Sequence, residues 1–202
     1  MVNLLPLAGV LWLDWDVTAL MILYWSENLV LGFYTLVKML TVSPLGGLPM
    51  GLFFLVHYGG FCAGHGLFIL IMLVDADFEP MPGENWPFFL VFVQLLVGIV
   101  REVIEVAPPA WLVAFGALFL SHGVSFLVNF LWGGERRRLR LKELMTAPYS
   151  RIIVLHVTVI LGGAAVMALG QPVAMLLVLV ALKLALDVKL HLREHERASR
   201  AR

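Results

Sequence analysis

Residues 152–182 read IIVLHVTVILGGAAVMALGQPVAMLLVLVAL and carry no charged side chain. As a single helix this stretch would be ~46 Å long at ~1.5 Å per residue, which exceeds the ~30 Å hydrocarbon core of a bilayer. Gly170, Gln171 and Pro172 stand at its middle, and Gly and Pro are the residues that interrupt a helix with a turn. The stretch therefore predicts two membrane-spanning helices, at about 152–170 and 173–190, joined by a tight hairpin.

The remainder of the chain has the same apolar character. Of its 202 residues, 61% are hydrophobic and 14% are charged, whereas soluble domains average about 45–50% and about 25%. A soluble fold of this size cannot bury so much apolar surface, which excludes secreted disulfide scaffolds, nucleic-acid binders and coiled coils. We expect an all-α integral membrane protein, a single transmembrane domain of residues 1–202. Its further helices are expected at about 17–38, 50–74, 86–106 and 110–132.

The segment 86–106 is the ambiguous one among these six hydrophobic helices. It begins with an apolar run, but Arg101, Glu102 and Glu105 follow before two prolines. Either it crosses the membrane, or it lies buried or re-entrant, so five or six of the helices span. With six spans the N-terminus is cytoplasmic, and with five it is external.

Charge is distributed unevenly along the chain. Residues 1–134 hold two basic side chains against nine acidic ones, and residues 135–202 hold twelve against five. Short loops rich in Lys and Arg stay on the cytoplasmic side, so we expect the loop after residue 134 and the C-terminus there, in the cytoplasmic (inner) membrane of a prokaryote. Five spans obey this rule better than six. A basic run that directly follows a span indicates anionic membrane lipids as partners rather than nucleic acid.

Glu27 is the most informative residue of the first span. It stands midway between Asp16 and Lys38, where an ionisable side chain costs ~3 kcal/mol or more unless it is paired. Helical periodicity places it within a polar stripe, which must face the interior of the bundle. A protonated Glu27 that hydrogen-bonds to a neighbouring helix is the purely structural alternative. The stripe consists of Tyr24, Glu27, Asn28, Leu31, Thr35 and Lys38.

Polar side chains recur within the other apolar segments. His122 lies near the centre of the segment 110–132, and Ser125 and Asn129 follow on the same face, which we expect to point inward. The second segment carries Gly60 and Gly64, a small-xxx-small pattern that lets another helix, or a second copy of the chain, approach closely. The remaining polar side chains of this kind are His57, His65, His156, Lys183, Asp187 and His191.

These residues predict a metal site. Imidazole and carboxylate groups are the ligands that zinc and iron take in proteins, and ligands in a helical bundle project inward from different helices. We therefore expect a membrane-embedded metalloprotein, specifically a zinc-dependent hydrolase of a lipid-like substrate. In this scheme Glu27 is the general base and Ser125 positions an oxyanion. The metal ligands would be His57, His122, His156 and Asp187, with His65, Asn129, Lys183 and His191 as additional candidates.

Other functions fit the same residues. Haem could bind with two histidines as axial ligands, because the glycine-rich strip 59–66 would accommodate the macrocycle. Alternatively, Glu27 and the histidines form a relay for protons or a cation, as in a transporter or channel. In a structural role, Gly60 and Gly64 would instead form a contact between copies of the chain.

Four short motifs resemble those of a known family. They are Tyr24-Trp25-Ser26-Glu27-Asn28 and the runs at 57–66, 121–129 and 148–156. Together they resemble an uncharacterised family of prokaryotic multi-pass membrane proteins, a domain of unknown function with a Tyr-Trp-x-Glu-Asn motif. The resemblance covers nearly the whole chain. It implies a membrane protein and implies no activity, substrate or cofactor.

Overall fold

The computed structural model of the chain describes residues 16–74, 79, 81, 83–171, 173–182 and 185. Within these residues the chain is helical and has no strand, which confirms the all-α fold class. The helices are α1 (Val17–Val42), α2 (Pro44–Ile69, continued by a π-helical turn Leu70–Val74), α3 (Leu90–Val106), α4 (Pro109–Ser125, continued by a π-helix Phe126–Trp132), a 3-10 turn (Glu135–Arg137), α5 (Leu141–Thr146), α6 (Tyr149–Leu169) and α7 (Val173–Leu182).

In the part of the chain that the structure describes, four helical stretches are long and apolar enough to cross a membrane. α5 and α6 together form one of them, interrupted near Pro148, so this stretch begins well before the predicted residue 152. α7 is a shorter apolar helix. The four stretches are Val17–Val42, Pro44–Val74, Pro109–Trp132 and Leu141–Leu169.

α1 and α2 form a tight helical hairpin around Ser43. The Ser43 hydroxyl accepts a hydrogen bond from the Gly46 amide at 3.3 Å, and Pro44 occupies the start of α2, where its missing N–H costs nothing. A Cβ at Gly47 would lie 2.7 Å from the Met39 carbonyl oxygen, so only glycine fits there. The helix predicted from about residue 50 begins earlier than expected, because this capping extends α2 back to Pro44.

α3 runs in the same direction as α2 and beside its second half. Phe92 lies against Gly60, and Ile99 lies against Gly66, so residue numbers increase together along the two helices. α3 therefore starts next to the middle of α2 and is not its antiparallel successor. The absence of side chains at these glycines is what lets the two helices approach.

The predicted hairpin near residue 170 is confirmed. Gly170 ends α6 with φ of +64°, a left-handed conformation that glycine adopts without strain. α7 returns against α6, and a Cβ at Gly162 would lie 3.0 Å from the Met175 Cα. The glycines thus both turn the chain and let the two helices pack closely.

Trp25 lies at the centre of the larger apolar core. It is 1% exposed, and its Nε1 donates a hydrogen bond to the Cys62 carbonyl oxygen at 2.7 Å. Ile69 on α2, Ile99 on α3 and Met175 on α7 belong to the same core. A smaller core near the α1–α2 turn joins Met39, Phe54, Phe130 and Ile152.

We expect Gly66→Ala to destabilise the fold by about 1–3 kcal/mol, because overpacking a filled core has this cost. The new Cβ would lie 2.6 Å from Ile99 Cγ2 and 2.7 Å from Trp25 Cζ2. Gly64→Ala is the matched control, since a Cβ there meets nothing within 4 Å, and helix propensity alone then favours alanine by about 1 kcal/mol. Thermal unfolding in detergent micelles measures both, and equal stabilities for the two variants would contradict the packing.

Candidate functional site

A cavity of about 1150 Å³ lies between α2, the start of α3 and α6. Its walls are apolar and rich in aromatic rings, and the only polar side chains among the described residues that line it belong to three histidines. They are His57, His65 and His156. The aromatic residues are Phe53, Phe61, Phe68, Phe88, Phe89 and Phe92.

His65 and His156 form a hydrogen-bonded pair across α2 and α6. His65 Nε2 and His156 Nδ1 are 2.9 Å apart, and the ring centroids are 5.2 Å apart. His65 is only 4% exposed, whereas His156 is exposed towards the cavity. One of the two facing nitrogens donates and the other accepts, so the tautomers of the two rings are coupled. His65 Nδ1 is buried and has no hydrogen-bond partner among the described residues.

A second pair crosses the same two helices. His57 Nδ1 lies 2.8 Å from the Tyr149 hydroxyl, and the His57 ring stacks on Phe53 with centroids 5.1 Å apart. The ring of Phe61 contacts both His57 and His65 and so lies between the two pairs. Because 57 pairs with 149 and 65 with 156, α2 and α6 run in the same direction.

The glycine-rich strip of α2, residues 59–66, forms part of the cavity wall. Gly60 faces Phe92, with 3.5 Å between its ideal Cβ position and the ring, and Gly64 is open to the cavity. The two glycines of the small-xxx-small pattern thus lie against α3 and the cavity within a single chain. Whether they also contact a second copy of the chain stays a prediction.

The start of α3 forms the facing wall. The Gln94 amide holds the preceding segment, because it donates to the Glu84 carbonyl oxygen at 3.0 Å and accepts from the Trp86 amide at 2.8 Å. Phe88 follows with φ of +51°, a left-handed backbone that is rare for a bulky residue. This conformation directs the chain into α3 and presents Pro87, Phe88 and Phe89 to the cavity.

Glu27 forms an ion pair with Arg151 of α6. The Glu27 side chain is 22% exposed and that of Arg151 is 52% exposed. Asn28 and Thr35 of the same stripe are buried, which confirms that this face of α1 is turned inward. Glu27 does not line the cavity, so its predicted role as general base would require a different site from the histidine pairs.

Arg151 and Tyr149 are the residues that sequence reasoning missed. Arg151 is one of the twelve basic side chains of residues 135–202, and its place next to the basic loop in sequence predicts a cytoplasmic position. In the structure it lies beside the middle of α1, since α6 starts level with Glu27 and not at the end of the bundle. The signal in the sequence is Glu27 itself, an acid at the centre of an apolar segment, where a nearby cation stabilises it.

His122 lies apart from the cavity. Its Nδ1 donates to the Leu118 carbonyl oxygen at 3.0 Å, and its ring stacks on Tyr34 of α1. The prediction that Ser125 and Asn129 face inward is wrong: both are exposed, and the Asn129 amide donates to the Ser125 hydroxyl at 3.1 Å. The π-helix that begins at residue 126 changes the register and turns Phe130 inward, where it is fully buried.

The predicted metal ligands are thus distributed over separate places. His57 and His156 share the cavity with the additional candidate His65, while His122 does not line it. In the part of the chain that the structure describes, no group of three or more His, Cys, Asp or Glu residues could hold a metal ion. The remaining candidates, Lys183, Asp187 and His191, lie outside the described residues.

Comparison with known proteins gives a family and no activity. No curated protein and no solved structure matches the chain. A family model described as a family of unknown function, DUF6498, matches residues 1–202. The match agrees with the expected resemblance to an uncharacterised domain, and the chain therefore belongs to the DUF6498 family.

Proposed function

We propose that this chain is an integral membrane protein that binds a lipid-soluble molecule in the cavity between α2, α3 and α6. The observation that carries the proposal is the composition of the cavity: about 1150 Å³ with apolar and aromatic walls, in which three histidines supply the only polar side chains among the described lining residues. A ligand of matching chemistry has a large apolar body and a small hydrogen-bonding group. The His65–His156 pair is the place for that group.

The histidine pair supplies the selectivity of such a site. Lipid tails are as apolar as the cavity wall, so apolar contact alone scarcely distinguishes a ligand from the surrounding lipid. A hydrogen bond to a buried imidazole does distinguish them, because an unpaired polar group in an apolar environment costs free energy. His156 is exposed in the cavity, and its hydrogen bond to His65 fixes the position of its ring. His156 is therefore suited to bind the polar group of the ligand.

The proposed orientation places the basic end of the bundle in the cytoplasm. Lys38, whose ammonium lies over the Phe130 ring, and the 3-10 turn with Arg136 stand at the end where α1 meets α2. Asp16 and Glu105 stand at the opposite end. This separation agrees with the positive-inside rule. With α3 re-entrant, beginning beside the middle of α2, the N-terminus is external and the C-terminus cytoplasmic.

A metal ion held by His65 and His156 is a second candidate. The favouring observation is the 2.9 Å between His65 Nε2 and His156 Nδ1, because two imidazole nitrogens converge there. Zinc, copper and iron bind imidazole nitrogen, and the pair supplies two of the three protein ligands that a catalytic zinc site has beside its position for water or substrate. A lipid-like substrate in the adjoining cavity would lie beside such an ion, which retains the hydrolase proposed from the sequence.

We expect purified protein to carry a lipid-soluble molecule that Gly64→Leu excludes. The leucine side chain would project into the cavity, where a Cβ at residue 64 meets nothing within 4 Å. Organic extraction of protein purified in mild detergent, followed by mass spectrometry, should show a component enriched in the wild type and reduced at least tenfold in the variant. Elemental analysis and an absorption spectrum of the same samples test for metal and haem.

The control is Gly116→Leu on α4, where a Cβ likewise meets nothing within 4 Å but which lies outside the cavity lining. This variant should retain the component. Identical extracts from all three proteins, with only bulk membrane lipid, would contradict ligand binding in the cavity.

A further inference from the structure

On each of two cavity-facing rings, one nitrogen has no hydrogen-bond partner among the described residues. His57 uses Nδ1 for Tyr149, and His156 uses Nδ1 for His65. Both rings line the cavity, and both side chains are exposed. In each case Nε2 is the nitrogen that remains for a ligand.

The partners favour a proton on both of these Nε2 atoms. A neutral phenol is a good donor, so the Tyr149 hydroxyl donates to His57 Nδ1 and leaves the proton on Nε2. For the other pair, the tautomer follows from Nδ1 of His65, which is buried and has no hydrogen-bond partner among the described residues. Buried donors without a partner are rarer than under-satisfied acceptors, so Nδ1 of His65 carries no proton. His65 Nε2–H therefore donates to His156 Nδ1. The proton of His156 is then on Nε2.

The cavity therefore presents two N–H donors, one from each histidine pair, and helix geometry sets how far apart the two pairs lie. His57 and His65 are two turns apart, ~12 Å along α2, and Tyr149 and His156 are ~10 Å apart along α6 at ~1.5 Å per residue. A ligand that accepts from both donors needs two oxygens at opposite ends of a short rigid body. In a six-membered ring with two opposed carbonyls, the oxygens are ~5 Å apart. With a hydrogen bond of ~2.8 Å at each end, such a ring spans ~11 Å from one donor nitrogen to the other.

The wall between the donors suits a flat ring. Gly64 is open to the cavity, whereas Phe92 lies against Gly60. Phe61 lies between the two histidine pairs on the same helix, and Phe92 faces them from α3. A planar six-membered ring can thus lie against bare backbone and between aromatic rings.

We infer that the cavity is a binding site for a para-quinone with an apolar tail, whose two carbonyl oxygens accept hydrogen bonds from His57 and His156. The inference rests on the proposed function and names its ligand class. The apolar remainder of the cavity accommodates the tail. Tyr149 and His65 are positioning residues, because each acts on the ligand only by setting the tautomer of its neighbour.

The test is binding of a decyl-substituted para-benzoquinone to the full chain in lipid nanodiscs, with decylbenzene as the probe that lacks oxygens. The quinone should bind and its carbonyl stretching bands should shift to lower frequency, as carbonyls that accept hydrogen bonds do. His57→Phe and His156→Phe should each weaken binding about threefold to twentyfold, the range that measured hydrogen bonds within membrane proteins convert to, and each should return one carbonyl band to its unbound frequency. His122→Phe, outside the cavity lining, should change neither.

Tyr149→Phe keeps the test decisive if His156→Phe fails to fold. It leaves the cavity lining unchanged and removes only the hydroxyl that orients His57, so it should broaden or shift one carbonyl band with a smaller loss of affinity. Binding of decylbenzene as tight as that of the quinone, or carbonyl bands identical in wild type and His57→Phe, would overturn the inference. A different extracted lipid together with failure of the quinone to bind overturns the inference alone. No extracted component and no probe binding overturn the proposed function as well.

Discussion

Arg151→Leu is expected to lower the free energy of unfolding by about 3 kcal/mol, the cost of leaving an ionisable side chain unpaired in the membrane environment that we propose. The substitution leaves Glu27 without the guanidinium that it contacts across α1 and α6. The carboxylate then either remains charged in an apolar environment or takes up a proton, and both cost free energy. Unfolding in mixed micelles of mild detergent and sodium dodecyl sulfate measures the loss.

Two further variants isolate the ion pair. Arg136→Leu removes an exposed cation of the 3-10 turn and should change stability by no more than about 0.5 kcal/mol. The double variant Glu27→Gln with Arg151→Gln should recover most of the loss, because removing both partners of an ion pair leaves no unpaired charge. Equal effects of Arg151→Leu and Arg136→Leu would show that the pair contributes nothing.

Trp25→Ala is expected to cost about 3–5 kcal/mol, the usual range for removing a large aromatic side chain from a filled core. Trp25 contacts the backbone strip of α2 at Gly66 and donates to the Cys62 carbonyl oxygen. Its removal would open a void beside three helices. The same micellar unfolding experiment gives the value.

Trp25→Phe separates packing from hydrogen bonding in that effect. Phenylalanine keeps much of the ring volume but has no N–H donor, so we expect a loss of about 1–2 kcal/mol. Trp132→Ala is the control, because this side chain is 78% exposed. A loss on Trp132→Ala as large as that on Trp25→Ala would contradict the assignment of Trp25 to the core.

The sequence was sufficient to predict the features that depend on local composition. Apolar length predicted helices, Gly170 predicted the α6–α7 turn, and helical periodicity predicted the buried side of α1 with Asn28 and Thr35. These features follow from residues close to one another in the chain. No knowledge of neighbouring helices is needed to derive them.

The features that the sequence did not predict depend on which helices become neighbours in the fold. No local sequence feature indicates that α3 runs parallel to α2, because the glycines that allow this packing would allow any other helix to pack there as well. The pairing of Glu27 with Arg151 joins residues far apart in the chain, and a nearby basic loop offered a simpler role for the arginine. For Asn129, the prediction rests on ideal α-helical spacing, which the π-helix after Ser125 changes. Ser125 still lies in the regular part of α4, and its exposure depends on which helices pack beside that face.

The candidate site was predicted in its parts and not in its assembly. His57, His65 and His156 were all singled out, and the structure brings these three to one cavity. His122 was grouped with them because it too lies mid-segment, and depth alone cannot tell on which side of α1 a side chain lies. Tyr149 received no role, since a tyrosine at the start of an apolar segment is ordinarily an interfacial residue.

The position of the cavity on the side of the bundle has a consequence for how occupancy is controlled. Its lining includes Leu52, Phe53 and Phe89, which are 57%, 54% and 69% exposed on the apolar outer surface. In the proposed orientation a ligand arrives by lateral diffusion within the bilayer. The quantity that sets occupancy is then its mole fraction among the lipids and not its aqueous concentration. The protein would therefore respond to the composition of the membrane around it, and adding lipid or detergent at constant ligand would empty the site by dilution.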